Sequence, residues 1–164
     1  MSSKEAPARG EARAFLLPAV VLGVGLGGLL DGIVLHQVLQ WHHMASAVDP
    51  PTSVDALHRN TLADGLFHVV AWLATLAGVV LLWRAAGIAR ARPSGAILVG
   101  GLLVGFAGFN LLEGVVDHLV LGVHHVREGP DAFAYDAAFL LVSAVLFVAG
   151  SAIVRRAVGP TARP

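Results

Sequence analysis

Asp31-Gly-Ile-Val-Leu-His36-Gln-Val-Leu-Gln-Trp-His42-His43 recurs eighty-two residues further on as Glu113-Gly-Val-Val-Asp117-His118-Leu-Val-Leu-Gly-Val-His124-His125. An acid matches an acid, Gly32 matches Gly114, three histidines match three histidines, and Val34, Val38 and Leu39 are repeated too. Six of the eight histidines fall in this pattern. Each copy closes a long apolar, glycine-rich run. The chain therefore reads as all-α, a transmembrane four-helix bundle made of two internally duplicated helical hairpins.

On an ideal α-helix, at about 100° per residue, Asp31 shares a line with His42, and His36 shares a second line with His43. The second copy places Glu113, Asp117 and His124 on the first line and His118 and His125 on the second. Such a wedge of carboxylate and imidazole is the ligand set of zinc, copper and iron sites. The alternative is a set of polar residues at a membrane surface, bonded to one another and to water. Ionisable groups at membrane depth mark functional sites by default, which favours ligation.

Composition agrees with a membrane protein, because 56% hydrophobic residues, 13% charged residues and 19 glycines in 164 residues do not suit a soluble domain. A net charge of zero offers no basic surplus for nucleic acid. With no cysteine and only two methionines, thiolate sites, disulfides and a sulfur-based copper(I) relay are excluded.

Residues 1–14 read as a disordered cytoplasmic tail, 15–155 as the membrane domain, and 156–164 as a second cytoplasmic tail. Spans are expected at about 15–43, 61–84, 95–125 and 134–153. Gly23-x-Gly25-x-x-Gly28 spells a dinucleotide fingerprint, but no strand precedes it. Gly23 with Gly27, Gly28 with Gly32, and Gly101 with Gly105 are instead small-residue pairs for close helix packing. Nine of the eleven Lys and Arg residues lie in the two tails and the middle loop, which places both termini in the cytoplasm. Measured at 1.5 Å per residue from Arg13, Arg84 and Arg155 for Asp31, Asp64 and Asp136, and from Gly95 for Glu113, all four acids reach a level about 27–30 Å away, the outer edge of the hydrocarbon core.

Charges at such a level cost on the order of 2.5–3.5 kcal/mol each at mid-membrane and less near the interface. A divalent cation offsets that cost by neutralising carboxylates and engaging neutral imidazoles together. The expected inner ligands are His36, His68, His118, Asp31, Glu113 and Asp117, with Asp64 and Asp136 as ligands or as partners that orient imidazoles. His42, His43, His124 and His125 fall beyond the bilayer edge, where a solvated face competes with ligation. Without a metal the same groups form a proton relay. Haem b is the competing cofactor, with His36 and His118 as axial ligands, but carboxylates crowd that level. No H-E-x-x-H, nucleophile elbow or nucleotide loop is present. Metal binding or delivery, and a membrane metalloenzyme or redox protein, therefore both stay open.

The motifs Asp31-Gly-Ile-Val-Leu-His36-Gln-Val-Leu-Gln-Trp-His42-His43-Met44, Ala63-Asp-Gly-Leu-Phe-His68, Phe109-Asn-Leu-Leu-Glu113, His124-His125-Val-Arg127 and Tyr135-Asp136 resemble a family of small bacterial four-span membrane proteins known as a domain of unknown function. The resemblance covers roughly residues 15–155. It implies a bacterial cytoplasmic membrane protein surrounded by lipid, tilts the metal toward copper, and implies an oxidase-assembly or other membrane partner; a second copy of the chain is a further partner left open.

The charge count makes a topological prediction. Single cysteines at Ser53, Ser94 and Thr161 are clean probes in a cysteine-free chain, and an impermeant thiol reagent on intact cells should label position 53 and spare the others. Labelling at 94 and not at 53 would reverse the orientation.

Overall fold

The computed structural model describes residues 5–90 and 92–159. Four long helices account for most of the chain. Helix α1 spans Glu5–Leu30 and continues as a π-helix over Asp31–Val38. Helix α2 spans Val54–Ala89. Helix α3 spans Gly95–Glu113 and likewise continues as a π-helix over Gly114–Val120. Helix α4 spans Ala132–Val158.

The apolar stretches of these helices, 26, 36, 26 and 27 residues long, correspond to about 39 Å or more at 1.5 Å per residue. That length crosses a hydrocarbon core of about 30 Å. Local signals set the ends. Ser53 and Ser94 cap α2 and α3 by accepting the amide protons of Ala56 and Ile97 at 3.1 and 3.2 Å. Helix α4 stops at Gly159, whose amide donates to the Arg155 carbonyl.

Several sequence-based boundaries shift. Residues 5–14, expected to be disordered, are helical, whereas residues 1–4 of that tail and 160–164 of the other lie outside the described residues. The first and third spans leave the helix at Val38 and Val120, short of 43 and 125, because their last turns are π-helical and then reverse. Helix α2 begins seven residues earlier than expected and α4 runs about five further.

Packing is a row, with α1 and α3 at the centre, α2 against α1, and α4 against α3. Among the described residues α2 and α4 do not touch. The small-residue pairs make this close approach, as the sequence suggested. A Cβ on Gly23 would strike the Leu102 carbonyl oxygen of α3, and one on Gly105 would strike the Val20 carbonyl oxygen of α1. Without a hydrophobic drive between helices in lipid, such backbone proximity supplies the van der Waals attraction that holds them. The outer faces are broad and apolar, with Trp83 and Ile88 on α2 and Phe133 on α4 strongly exposed.

Gly105→Val should therefore lower the thermal stability of the detergent-solubilised protein by an overpacking cost of about 1–3 kcal/mol. Gly65→Val, on a helix face with open space around it, should cost little. Equal losses in the two variants would discard the central interface as the stabilising contact.

Candidate metal centre

The π-helices decide the geometry of the site. Hydrogen bonding from residue i to i+5 widens the turn, so residues five apart approach each other, which on an α-helix stand well apart. Leu39 N–H donates to Val34 O at 2.8 Å and Leu121 N–H to Val116 O at 2.8 Å. Asp31 consequently meets His36, with Oδ2 3.1 Å from Nε2, and Glu113 meets His118, with Oε1 2.8 Å from Nε2. The chain then turns back through left-handed residues, Gln40 (φ 50°) and Gly122 (φ 58°). This reversal carries His42 and His124 inward.

The α-helical lines assigned to the motif are thus corrected: Asp31 pairs first with His36, and His42 arrives from a non-helical segment. The solvated-face alternative for the inner member of each histidine pair is corrected as well, since His42 is 2% exposed and His124 1%. Their rings stack at 4.6 Å with 4° between planes, at the join of the two halves.

Each half then repeats one set of contacts. His36 Nδ1–H donates to Asp64 Oδ1 at 2.9 Å, His43 Nδ1–H to Asp64 Oδ2 at 2.6 Å, and Met44 N–H to Asp64 Oδ1 at 2.9 Å. In the other half His118 Nδ1 lies 3.2 Å from Asp136 Oδ1, His125 Nδ1–H donates to Asp136 Oδ2 at 2.7 Å, and Val126 N–H to Asp136 Oδ1 at 2.9 Å. Phe67 lies against His36 and Phe139 against His118, each with ring centroids 5.7 Å apart. The halves also exchange partners. His42 Nδ1–H donates to the Val126 carbonyl at 2.9 Å, and His124 Nδ1–H donates to the Met44 carbonyl at 3.1 Å.

Two groups of potential ligands result: Asp31, His36 and His42, and Glu113, His118 and His124, with the three ligand atoms of each within 4.8 Å of one another. All six residues are buried. Asp64 and Asp136 stand behind them and orient imidazoles. His43 and His125 are half-buried on the outer side of these carboxylates, beside a groove of about 700 Å³ that Glu128 and Trp41 also line. Asp117 lies outside both groups and, with Asp31, Glu113, Phe67, Phe109 and Val116, lines a cavity of about 290 Å³. His68 lies apart from both as well. Its Nδ1–H donates to the Asp64 carbonyl at 2.6 Å, and its ring packs on the bare Cα of Gly32, as Leu140 packs on Gly114.

The hydrogen-bond roles are unusual. Once Nδ1–H of a neutral imidazole is given to a carboxylate or carbonyl, Nε2 carries a lone pair. For His36 and His124 that lone pair faces a carboxylate oxygen, at 3.1 and 2.9 Å, and Nε2 of His118 lies 2.8 Å from Glu113 Oε1. Among the described residues, Nε2 of His36 and His42, both ring nitrogens of His118, Glu113 Oε2 and Asn110 Oδ1 have no aligned hydrogen-bond partner. Acceptor facing acceptor in a buried site requires a proton or a cation between them. A metal-ligating histidine characteristically gives its second ring N–H to a carboxylate or carbonyl, and His36, His42 and His124 are held in that way. His42 lies outside the helical spans, and burial, reinforced by the neighbouring His36 and His124, pushes its pKa down to about 3.

The chain belongs to the family described as predicted membrane protein (DUF2243). The family model matches residues 18–157, which takes in most of the first span, the second and third whole, nearly all of the fourth, and every residue of the site. No curated protein and no solved structure matches the chain. It is a membrane protein with buried histidine and carboxylate groups compatible with a metal site.

Sequence inspection missed the Met44 and Val126 peptide groups, because a backbone carbonyl leaves no side-chain signature. It also missed Glu128, which accepts from Ser46 Oγ at 2.8 Å across the two loops. The one available signal was that Met44 and Val126, like Ser46 and Glu128, occupy equivalent places after the repeated histidine pairs.

The His42 shift makes a stability prediction for the metal-free protein. Its folded pKa lies below the unfolded value of about 6.5, so the unfolded chain binds the extra proton between pH 6.5 and about 3. The stabilisation is fully present above pH 6.5 and is lost as pH falls through that window, by at most about 1.4 kcal/mol per pH unit. His42→Gln, which keeps a donor for the Val126 carbonyl, should flatten the fall in melting temperature between pH 7 and 4; an unchanged slope would contradict the assignment.

Proposed function

We propose that this protein is an integral membrane metal-binding protein whose His/carboxylate centre takes a divalent transition metal, zinc, copper or iron, at the outer face of a bacterial cytoplasmic membrane. The observation that carries this reading is that His36 and His124 each anchor Nδ1 and turn Nε2 toward a carboxylate oxygen, while Nε2 of His42 and both ring nitrogens of His118 are buried without an aligned partner. A divalent cation converts each such contact from repulsive to attractive. Two imidazoles and a carboxylate leave coordination positions open, which suits storage or delivery as well as a metalloenzyme.

The outward placement rests on charge. Arg13, Arg84, Arg155 and Arg156 lie at the helix ends opposite the site, and basic residues favour the cytoplasmic side. Haem is less well supported, because Nε2 of His36 and of His118 each turns to its own carboxylate. A second reading, proton transfer, is favoured by the continuous chain from His43 through Asp64 and His36 to Asp31.

Elemental analysis and an absorption spectrum of the purified protein test the proposal. Transition metal in stoichiometric amount is expected, without a Soret band. The double variant His36→Ala/His118→Ala should lose it, and His58→Ala, at an exposed position, should retain it. A protein that neither carries nor takes up metal would leave the proton-transfer reading.

A further inference from the structure

We infer that the centre holds two ions, one in the group Asp31, His36 and His42 and one in the group Glu113, His118 and His124, and that each half of the chain positions a ligand for the other half's ion. This rests on the metal-binding reading above and deepens it.

The first argument is spatial. Metal–nitrogen and metal–oxygen bonds of about 2.0–2.2 Å keep two ligand atoms of one ion within roughly 4.4 Å. Ring centroids within a group lie 4.4 Å apart for His36 and His42, and 4.9 Å for His118 and His124. Between groups, His36 to His124 is 6.0 Å and His42 to His118 is 6.4 Å, with the stacked His42 and His124 closer, at 4.6 Å. The ligand atoms accordingly gather as two sets of three. The stacked rings of His42 and His124 stand between the sets and keep the two positions adjacent. Buried, unpartnered nitrogens point into both sets, Nε2 of His36 and His42 in the first and Nε2 of His118 in the second.

The second argument is charge. One divalent ion would meet Asp31 and Glu113 but leave Asp64 and Asp136, each also buried, uncompensated beyond their hydrogen bonds. Two divalent ions balance the four buried carboxylates, and the half-buried Asp117 on the neighbouring cavity wall adds negative charge beside them.

The third argument is connectivity. The Met44 peptide donates its N–H to Asp64, which orients His36 of the first group, and its carbonyl accepts from His124 of the second. The Val126 peptide mirrors this, with its N–H on Asp136 beside His118 and its carbonyl on His42. Ordering one group therefore fixes a peptide that aims an imidazole of the other. Filling the two positions is interdependent.

Copper(II) titration of the chelator-stripped full-length protein in detergent, followed by EPR, tests this. Saturation at two ions per chain is expected, with a dipole-coupled spectrum at full loading. His36→Ala and His118→Ala should each retain about one ion, magnetically isolated and bound at least tenfold more weakly than in the parent, the scale on which loss of an orienting partner acts. Saturation of the parent at one ion that either substitution abolishes would overturn the two-ion centre while leaving metal binding intact. Two ions with an uncoupled spectrum would overturn it too, and the parent protein's spectrum decides this even where a variant fails to fold. No binding at all would remove the metal reading itself.

Discussion

Four carboxylates buried at one end of an apolar row of helices set the constraint that the surrounding structure answers. Asp31, Asp64, Glu113 and Asp136 are between 0% and 7% exposed, and a carboxylate in such a place is tolerated only with hydrogen bonds and compensating charge. Asp64 meets two imidazoles and a backbone amide, and so does Asp136. The α1–α2 and α3–α4 loops fold inward to supply these partners. Arg127, above Trp41 and Tyr135, helps pin them there, with the guanidinium 5.6 and 5.2 Å from the ring centroids.

The π-helices follow from the same demand. An α-helix would keep Asp31 and His36 on different faces, and Glu113 and His118 likewise. Widening the turn gives up good backbone geometry in return for side-chain contact, a trade found at functional sites far more than elsewhere. The glycine that follows the acid in each copy leaves room for the neighbouring helix: the His68 ring sits over Gly32, and Leu140 and Phe139 sit over Gly114. In the reversal after each π-helix, Gly122 adopts a left-handed conformation without strain, whereas Gln40 adopts it at some cost.

The two halves match in their buried acid and histidine groups and differ in what surrounds them. Leu35 corresponds to Asp117 and His68 to Leu140, and these differences place a third carboxylate on the wall of the 290 Å³ cavity beside Asp31 and Glu113. The space next to the centre is thereby polar on one side and lined by Phe67 and Phe109 on the other.

The number of spans, the glycine seams between α1 and α3, and the acids and histidines of the centre were all legible in the sequence, because hydropathy over a span, small-residue spacing and repeated side chains are local properties. Periodicity could not disclose the local change from α to π geometry, since both conformations are helical and the residues in those turns favour neither. For His42 and His124 the sequence left a solvated face and ligation both open, because their burial depends on a chain reversal and on carbonyls eighty-four and eighty residues away. Which nitrogen of each imidazole is anchored and which is turned to a carboxylate was decided only when the two halves met, because Met44 and Val126 contribute backbone groups that any residue type would carry.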